Sequence, residues 1–154
     1  MSHFKTTLLA FALLCPLAAC DSPEDGDVET RAVENFTDGM GCDSDQGAFR
    51  VVLWSDSGDI EVGRNDLVVR LGFHDPMDPE APGQGIPGAR VDLDAWMPAA
   101  NEAMAAEPVI TYLGDGQYRI ENVVLHDEGV WNFDIEVGVG ANMHETISLA
   151  FAVD

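Results

Sequence analysis

From Gly47 to the C-terminus, apolar side chains recur at every second position. Trp131-Asn132-Phe133-Asp134-Ile135-Glu136-Val137 alternates without a break, the period of a strand with one face in a core and the other in water. Residues 89–97 repeat the pattern, with Ala89, Val91, Leu93, Ala95 and Met97 on one face and Arg90, Asp92, Asp94 and Trp96 on the other. Further strands are expected around Phe49-Val51-Leu53, Leu67-Val69-Leu71-Phe73, Val109-Thr111-Leu113, Tyr118-Ile120 through Leu125, and Ile147-Leu149-Phe151-Val153. The breaks between them carry turn residues: Asp56-Ser57-Gly58-Asp59, the proline-rich stretch 74–88, Gly114-Asp115-Gly116 and Asp127-Glu128-Gly129. Gly114-Asp115-Gly116 between two alternating runs predicts a tight hairpin. The longest stretch open to a helix is 99–106, so the pattern predicts an all-β protein, an immunoglobulin-like antiparallel β-sandwich of about seven strands over residues 47–154. No Cys-Trp-Cys framework of a true immunoglobulin domain is present.

The N-terminus follows a different rule. Lys5 precedes the apolar run 8–19, which is too short to span a bilayer and suits the core of a signal peptide over residues 1–19. The run ends in Leu17-Ala18-Ala19-Cys20, which resembles the lipobox of bacterial lipoproteins and predicts lipid on Cys20, with the membrane as a partner through that anchor. The alternative is an ordinary secretory peptide. Cys20 would then stay unmodified, and a Cys20–Cys42 disulfide would become available in an oxidising compartment. Residues 20–46 are rich in acids and poor in large apolar side chains, which predicts a disordered, extended tether.

Charge narrows the partners. The chain of 154 residues carries 28 acidic against 7 basic residues, a formal net charge of -21. A surface this anionic lacks the Lys and Arg clusters that hold phosphate backbones or anionic headgroups, so nucleic acid is excluded as a partner. A 46% hydrophobic content is enough for a packed core.

Over residues 47–140 the landmarks Gly47-Ala48-Phe49-Arg50-Val51, Val62-Gly63-Arg64-Asn65, Ile86-Pro87-Gly88-Ala89-Arg90-Val91, Met97-Pro98, Pro108, Gly114-Asp115-Gly116-Gln117-Tyr118 and Gly129-Val130-Trp131 resemble the YtkA-like domain, a small β-sandwich of bacterial lipoproteins and membrane-anchored proteins, similar in style to FixH-type proteins. The resemblance implies an extracytoplasmic, non-enzymatic module lipid-anchored in the cell envelope, on its periplasmic side or at the cell surface, in a family associated with copper handling. Where members continue Met-Pro into a Met-Gly-His segment, this chain runs from Met97-Pro98 into Ala99-Ala100-Asn101; Asp127-Glu128-Gly129 stands where members carry Met-Pro-Gly.

Thioether and imidazole donors suit Cu(I), so Met97, Met104 and His126, reinforced by Met143-His144, are the candidate metal ligands, and Cu(I) the candidate cofactor. The competing role for Met97 is core packing, which its place on the apolar face favours. Trp96, expected on the outer face next to Met97-Pro98, is the candidate contact for an envelope protein partner, the alternative being that it packs under the proline-rich loop. Asp43-Ser44-Asp45, Asp56 to Asp59 and Asp75 to Asp78 read as turn aspartates, since none forms a twelve-residue calcium loop. Ser55, Ser57 and His74 lack a nucleophile elbow, so no catalytic residue is assigned and the chain is not expected to be an enzyme. Cys42, among carboxylates, is expected to have a raised thiol pKa and low reactivity.

Overall fold

The computed structural model describes residues 31–154, which form nine strands and no helix. These are β1 (Met40–Asp43), β2 (Phe49–Ser55), β3 (Gly63–Phe73), β4 (Arg90–Met97), β5 (Glu102–Ala103), β6 (Val109–Gly114), β7 (Gln117–Leu125), β8 (Gly129–Val139) and β9 (Met143–Val153). One sheet has the order β1-β2-β3-β7-β6 and the other β5-β4-β8-β9, with every ladder antiparallel. Set β1 and β5 aside, and the four-plus-three order of the remaining strands is that of an immunoglobulin constant-type sandwich. Those seven are the strands that the alternating pattern marks; β1 and β5 are short additions at the edges, so the expected count of seven becomes nine.

Alternation decides what the two sheets bury. Val51 and Leu53 of β2, Leu67, Val69 and Leu71 of β3, and Tyr118 and Ile120 of β7 point inward from one sheet. Leu93, Ala95 and Met97 of β4, Trp131, Phe133, Ile135 and Val137 of β8, and Ile147, Leu149 and Phe151 of β9 meet them from the other. Asp115 and Gly116 form the two-residue β6–β7 turn with φ of 49° and 76°. Both values are left-handed, as a type I′ hairpin requires, and glycine and aspartate tolerate them best. The stretch 99–106 is a turn leading into β5, with Asn101 at φ 54°, and is not helical.

The tether expected over 20–46 is corrected for residues 31–46. Cys20 and the rest of 1–30 lie outside the described residues, but 31–46 belong to the fold. Glu34 bridges to Phe151 and donates its N–H to the Ala150 carbonyl at 2.8 Å, Phe36 meets Phe151 edge-on at 5.7 Å, and Arg31 grips Asp134 through two bonds of 2.8 and 3.1 Å. β1 adds to the sheet because Met40 and Cys42 fall opposite Leu53 and Val51 and share their inward face. Two apolar positions suffice when the neighbouring strand already supplies the backbone partners.

A bulge between Asn65 and Leu67 shifts the β3–β7 register. Its polar groups are satisfied locally: the Asp66 carboxylate accepts the Asn122 N–H at 3.0 Å and the Arg64 Nε at 3.2 Å. The backbone bond from Asn122 is the main influence holding the Asp66 carboxyl below its ordinary value of 3.8, against an opposing effect of burial. A carboxylate depressed in the fold stabilises it above the unfolded pKa, and that stabilisation is lost as pH falls through the folded value. Asp66→Asn should therefore lower the urea midpoint at pH 7 and shrink its fall below about pH 4; an unchanged acid limb would assign the acid sensitivity to other carboxylates.

Candidate functional site

Two surfaces draw together the residues that carry chemistry. The first is the corner where β4 ends, β5 returns and β7 turns into β8. Glu102 pairs with Met97 across β4 and β5, and its Oε2 lies 2.7 Å from His126 Nε2, with Asp127 Oδ2 at 3.7 Å from the same nitrogen. The His126 ring stands edge-on to Trp131 at 5.2 Å, and the Trp131 indole N–H donates to the Asp127 carbonyl at 3.0 Å. The Met97 thioether reaches the space beside Gly129, where a Cβ would stand 3.7 Å from its sulfur.

Met97 thus lies at the same turn as His126, but it is part of the core, and Met104 packs against that core from a half-buried position. Of the three candidate ligands, Met97 is buried, Met104 is half-buried and His126 meets Glu102. The accessible donors at this corner are an imidazole and two carboxylates, a harder set than thioethers provide. Met143 and His144 lie at the start of β9, where they pair with Val139 and Gly138.

Trp96 is half-buried on the outer face of the four-stranded sheet, paired with Asn132 of β8 on one side and Ala103 of β5 on the other. His74 bonds to Asp43 at 3.1 Å, while the Ser55 and Ser57 hydroxyls close on the Asp59 carbonyl. Among the described residues His74 has no hydrogen bond to a serine. Cys42 faces inward on β1; burial first, and the nearby Glu34 carboxylate second, push its thiol from an ordinary 9.0 to about 11. The direction matches the expectation, but burial is the leading cause. Alkylation of Cys42 at pH 8 should be slower in the folded protein than in urea by roughly 100-fold, the ratio of thiolate populations across two pH units. Peptide-resolved mass spectrometry would read this, and equal rates would expose the thiol.

The second surface is the edge strand β6. Val109 is 55%, Leu113 51% and Tyr112 43% exposed, whereas Ile110 packs against the core. The expected orientation is therefore reversed: Val109 and Leu113, expected inward, point to solvent. The alternating run here is apolar on both faces, so its period carries no phase. Among the described residues the other edges are short or covered. β1 has four residues and β5 two, and β9 receives the Glu34 N–H at Ala150 and the Asp45 N–H at Thr146.

The architecture is that of a small immunoglobulin-topology sandwich with an apolar edge left bare by the described residues and a histidine–carboxylate corner. The chain belongs to the YtkA-like family: the family's sequence profile, described as YtkA-like, matches residues 45–136, from the turn before β2 into β8. Nothing among the curated proteins or the solved structures matches it.

Proposed function

We propose that the chain is a non-catalytic accessory module, lipid-anchored in the bacterial cell envelope through Cys20, which binds an envelope protein through β6. The observation that supports the binding role is the exposure of Val109, Tyr112 and Leu113 on an edge that no other described residue covers. An edge strand offers unpaired backbone groups to any extended chain, and soluble proteins ordinarily blunt such edges with charge, proline or a covering segment. Between Val109 and Leu113 β6 has no charged residue. The anchoring role is supported by the run before Leu17-Ala18-Ala19-Cys20.

Each half has its test. The Cys20→Ala protein should leave the membrane or retain its signal segment; a processed variant that stays anchored would remove the lipid. A photo-crosslinking residue at Leu113 should capture a defined envelope protein in cells, and one at Asp92, on the outer face of the other sheet, should not. Equal capture at both positions would remove β6 from the role.

A second reading, Cu(I) binding through Met97, Met104 and His126, is favoured by one observation: the Met97 thioether ends at the turn that carries His126. Titration of Cu(I) against a competing chelator under reducing conditions should show one-to-one binding that the Met97/Met104 double substitution abolishes. No competition with the chelator would discard this reading.

A further inference from the structure

We infer that the occupant of β6 is a basic extended segment: a strand of alternating apolar residues with Lys or Arg at its ends, added antiparallel to the sheet. This rests on the reading of β6 as a binding edge and names the partner by its chemistry. The centre of the edge is apolar, with Val109 and Leu113 on the outward face. Its ends are acidic: Glu107 precedes the strand, Asp115 follows it, and Glu121 stands opposite Val109 on β7. The nearby cations are Arg119, engaged by Asp56 and by Glu121 at 3.8 Å, and Arg70, which lines a surface depression with Tyr112 and Asp115 and donates to the Gly83 carbonyl at 3.3 Å; two cations against Asp56, Glu107, Asp115 and Glu121 leave the edge net acidic.

Charge decides between a second copy and a foreign strand. Pairing two copies antiparallel about the middle of β6 would satisfy the apolar residues, since Val109 of one copy would approach Leu113 of the other. The same operation carries Glu107 towards Asp115 at both ends, and a parallel arrangement brings Glu107 to Glu107. Like charges facing each other across paired strands are destabilising, and each copy brings a formal net charge of -21. A strand ending in Lys or Arg reverses every one of these contacts. Main-chain bonds then supply affinity, as in β-strand addition generally, while the charged ends set register and exclude acidic competitors.

The test uses the lipid-free chain beginning after Cys20 and two labelled nine-residue peptides, Lys-Thr-Val-Thr-Val-Thr-Val-Thr-Lys and its counterpart with Glu at both ends. Fluorescence anisotropy in low salt should show the Lys-ended peptide binding at least about tenfold tighter, with the gap narrowing as salt rises. N-methylation of its two central adjacent amides should abolish binding, because one of any two successive amides must face the edge. Val109→Ser with Leu113→Ser should weaken binding about tenfold; these exposed positions leave the core intact. Equal binding of the two peptides, or indifference to N-methylation, would overturn the inference. So would a concentration-dependent dimer by sedimentation that the same double substitution dissolves, since the edge would then belong to a second copy. Capture at Leu113 in cells without peptide binding would keep the binding edge and discard the basic strand, whereas failure of both would discard the edge itself.

Discussion

Trp131→Ala should destabilise the protein by about 3–5 kcal/mol, the range for truncating a buried aromatic side chain. Trp131 is fully buried at 0% exposure near the start of β8, paired with Phe151 of β9. Truncation would leave a cavity bounded by both sheets, and close packing prevents the surroundings from collapsing into it. It would also free the Asp127 carbonyl of its 3.0 Å bond and remove the ring on which His126 rests. The two contributions separate experimentally. Trp131→Phe keeps most of the volume and loses the N–H of a part-buried bond, so it should cost about 1 kcal/mol. Guanidinium unfolding of both variants decides: equal losses would make the hydrogen bond the dominant contribution, and a loss of only about 0.5 kcal/mol in the alanine variant would place the side chain on the surface.

How much of this was legible in the chain depends on how strongly the two faces of each strand differ. Residues 131–137 carry Asp134 and Glu136 between Phe133, Ile135 and Val137, so both period and phase are readable, and burial follows them except at Asn132, a polar position that is buried. In β6 the sequence Val109-Ile110-Thr111-Tyr112-Leu113 satisfies either phase. The choice is made by Ile110 falling opposite Ile120 and Tyr112 opposite Tyr118, pairings that need the register of β7. β1 was hidden for another reason. Its surroundings are acidic, and the two residues that seat it, Met40 and Cys42, gain meaning only opposite Leu53 and Val51. The histidine–carboxylate corner joins Glu102 to His126 across 24 positions of sequence, and no local motif announces such a contact. The thioethers of Met97 and Met104 are visible in sequence as soft donors, but burial, a property of the whole sandwich, keeps Met97 with the core.

The β6 edge is held in place by the loop between β3 and β4. The proline-rich loop between β3 and β4 lies close against the β6–β7 hairpin, so closely that a Cβ on Gly85 would meet the Asp115 carbonyl oxygen at 2.2 Å. Its far end is fixed by Tyr118, whose hydroxyl donates to the Ile86 carbonyl at 2.8 Å and accepts the Ala89 N–H at 2.9 Å. Leu71 completes the seam, donating to the Gly116 carbonyl at 2.8 Å and accepting from the Ile86 N–H at 3.1 Å. For the pairing role proposed for β6 such support matters, because ordering an edge strand at the moment of binding would cost affinity.

Gly72→Ala should break that seam at a single atom. Gly72 bridges to Gly85, and a Cβ there would stand 1.3 Å from the Pro82 carbonyl oxygen and 3.2 Å from that of Gln84. The obstacle is backbone, so no side-chain rotation relieves it and the loop must move away. The bonds at Ile86 then weaken, and the loss should be about 2–3 kcal/mol, at the upper end of overpacking costs. A double-mutant cycle tests the mechanism. Tyr118→Phe alone should cost about 1–3 kcal/mol for the two loop bonds made by its hydroxyl, but little more in the Gly72→Ala background, where the loop has already left. Limited proteolysis should cut the variant between residues 75 and 85 faster than the parent. Additive losses with unchanged cleavage would mean that the loop holds its place against the added methyl group, and that β3 itself bends to make room.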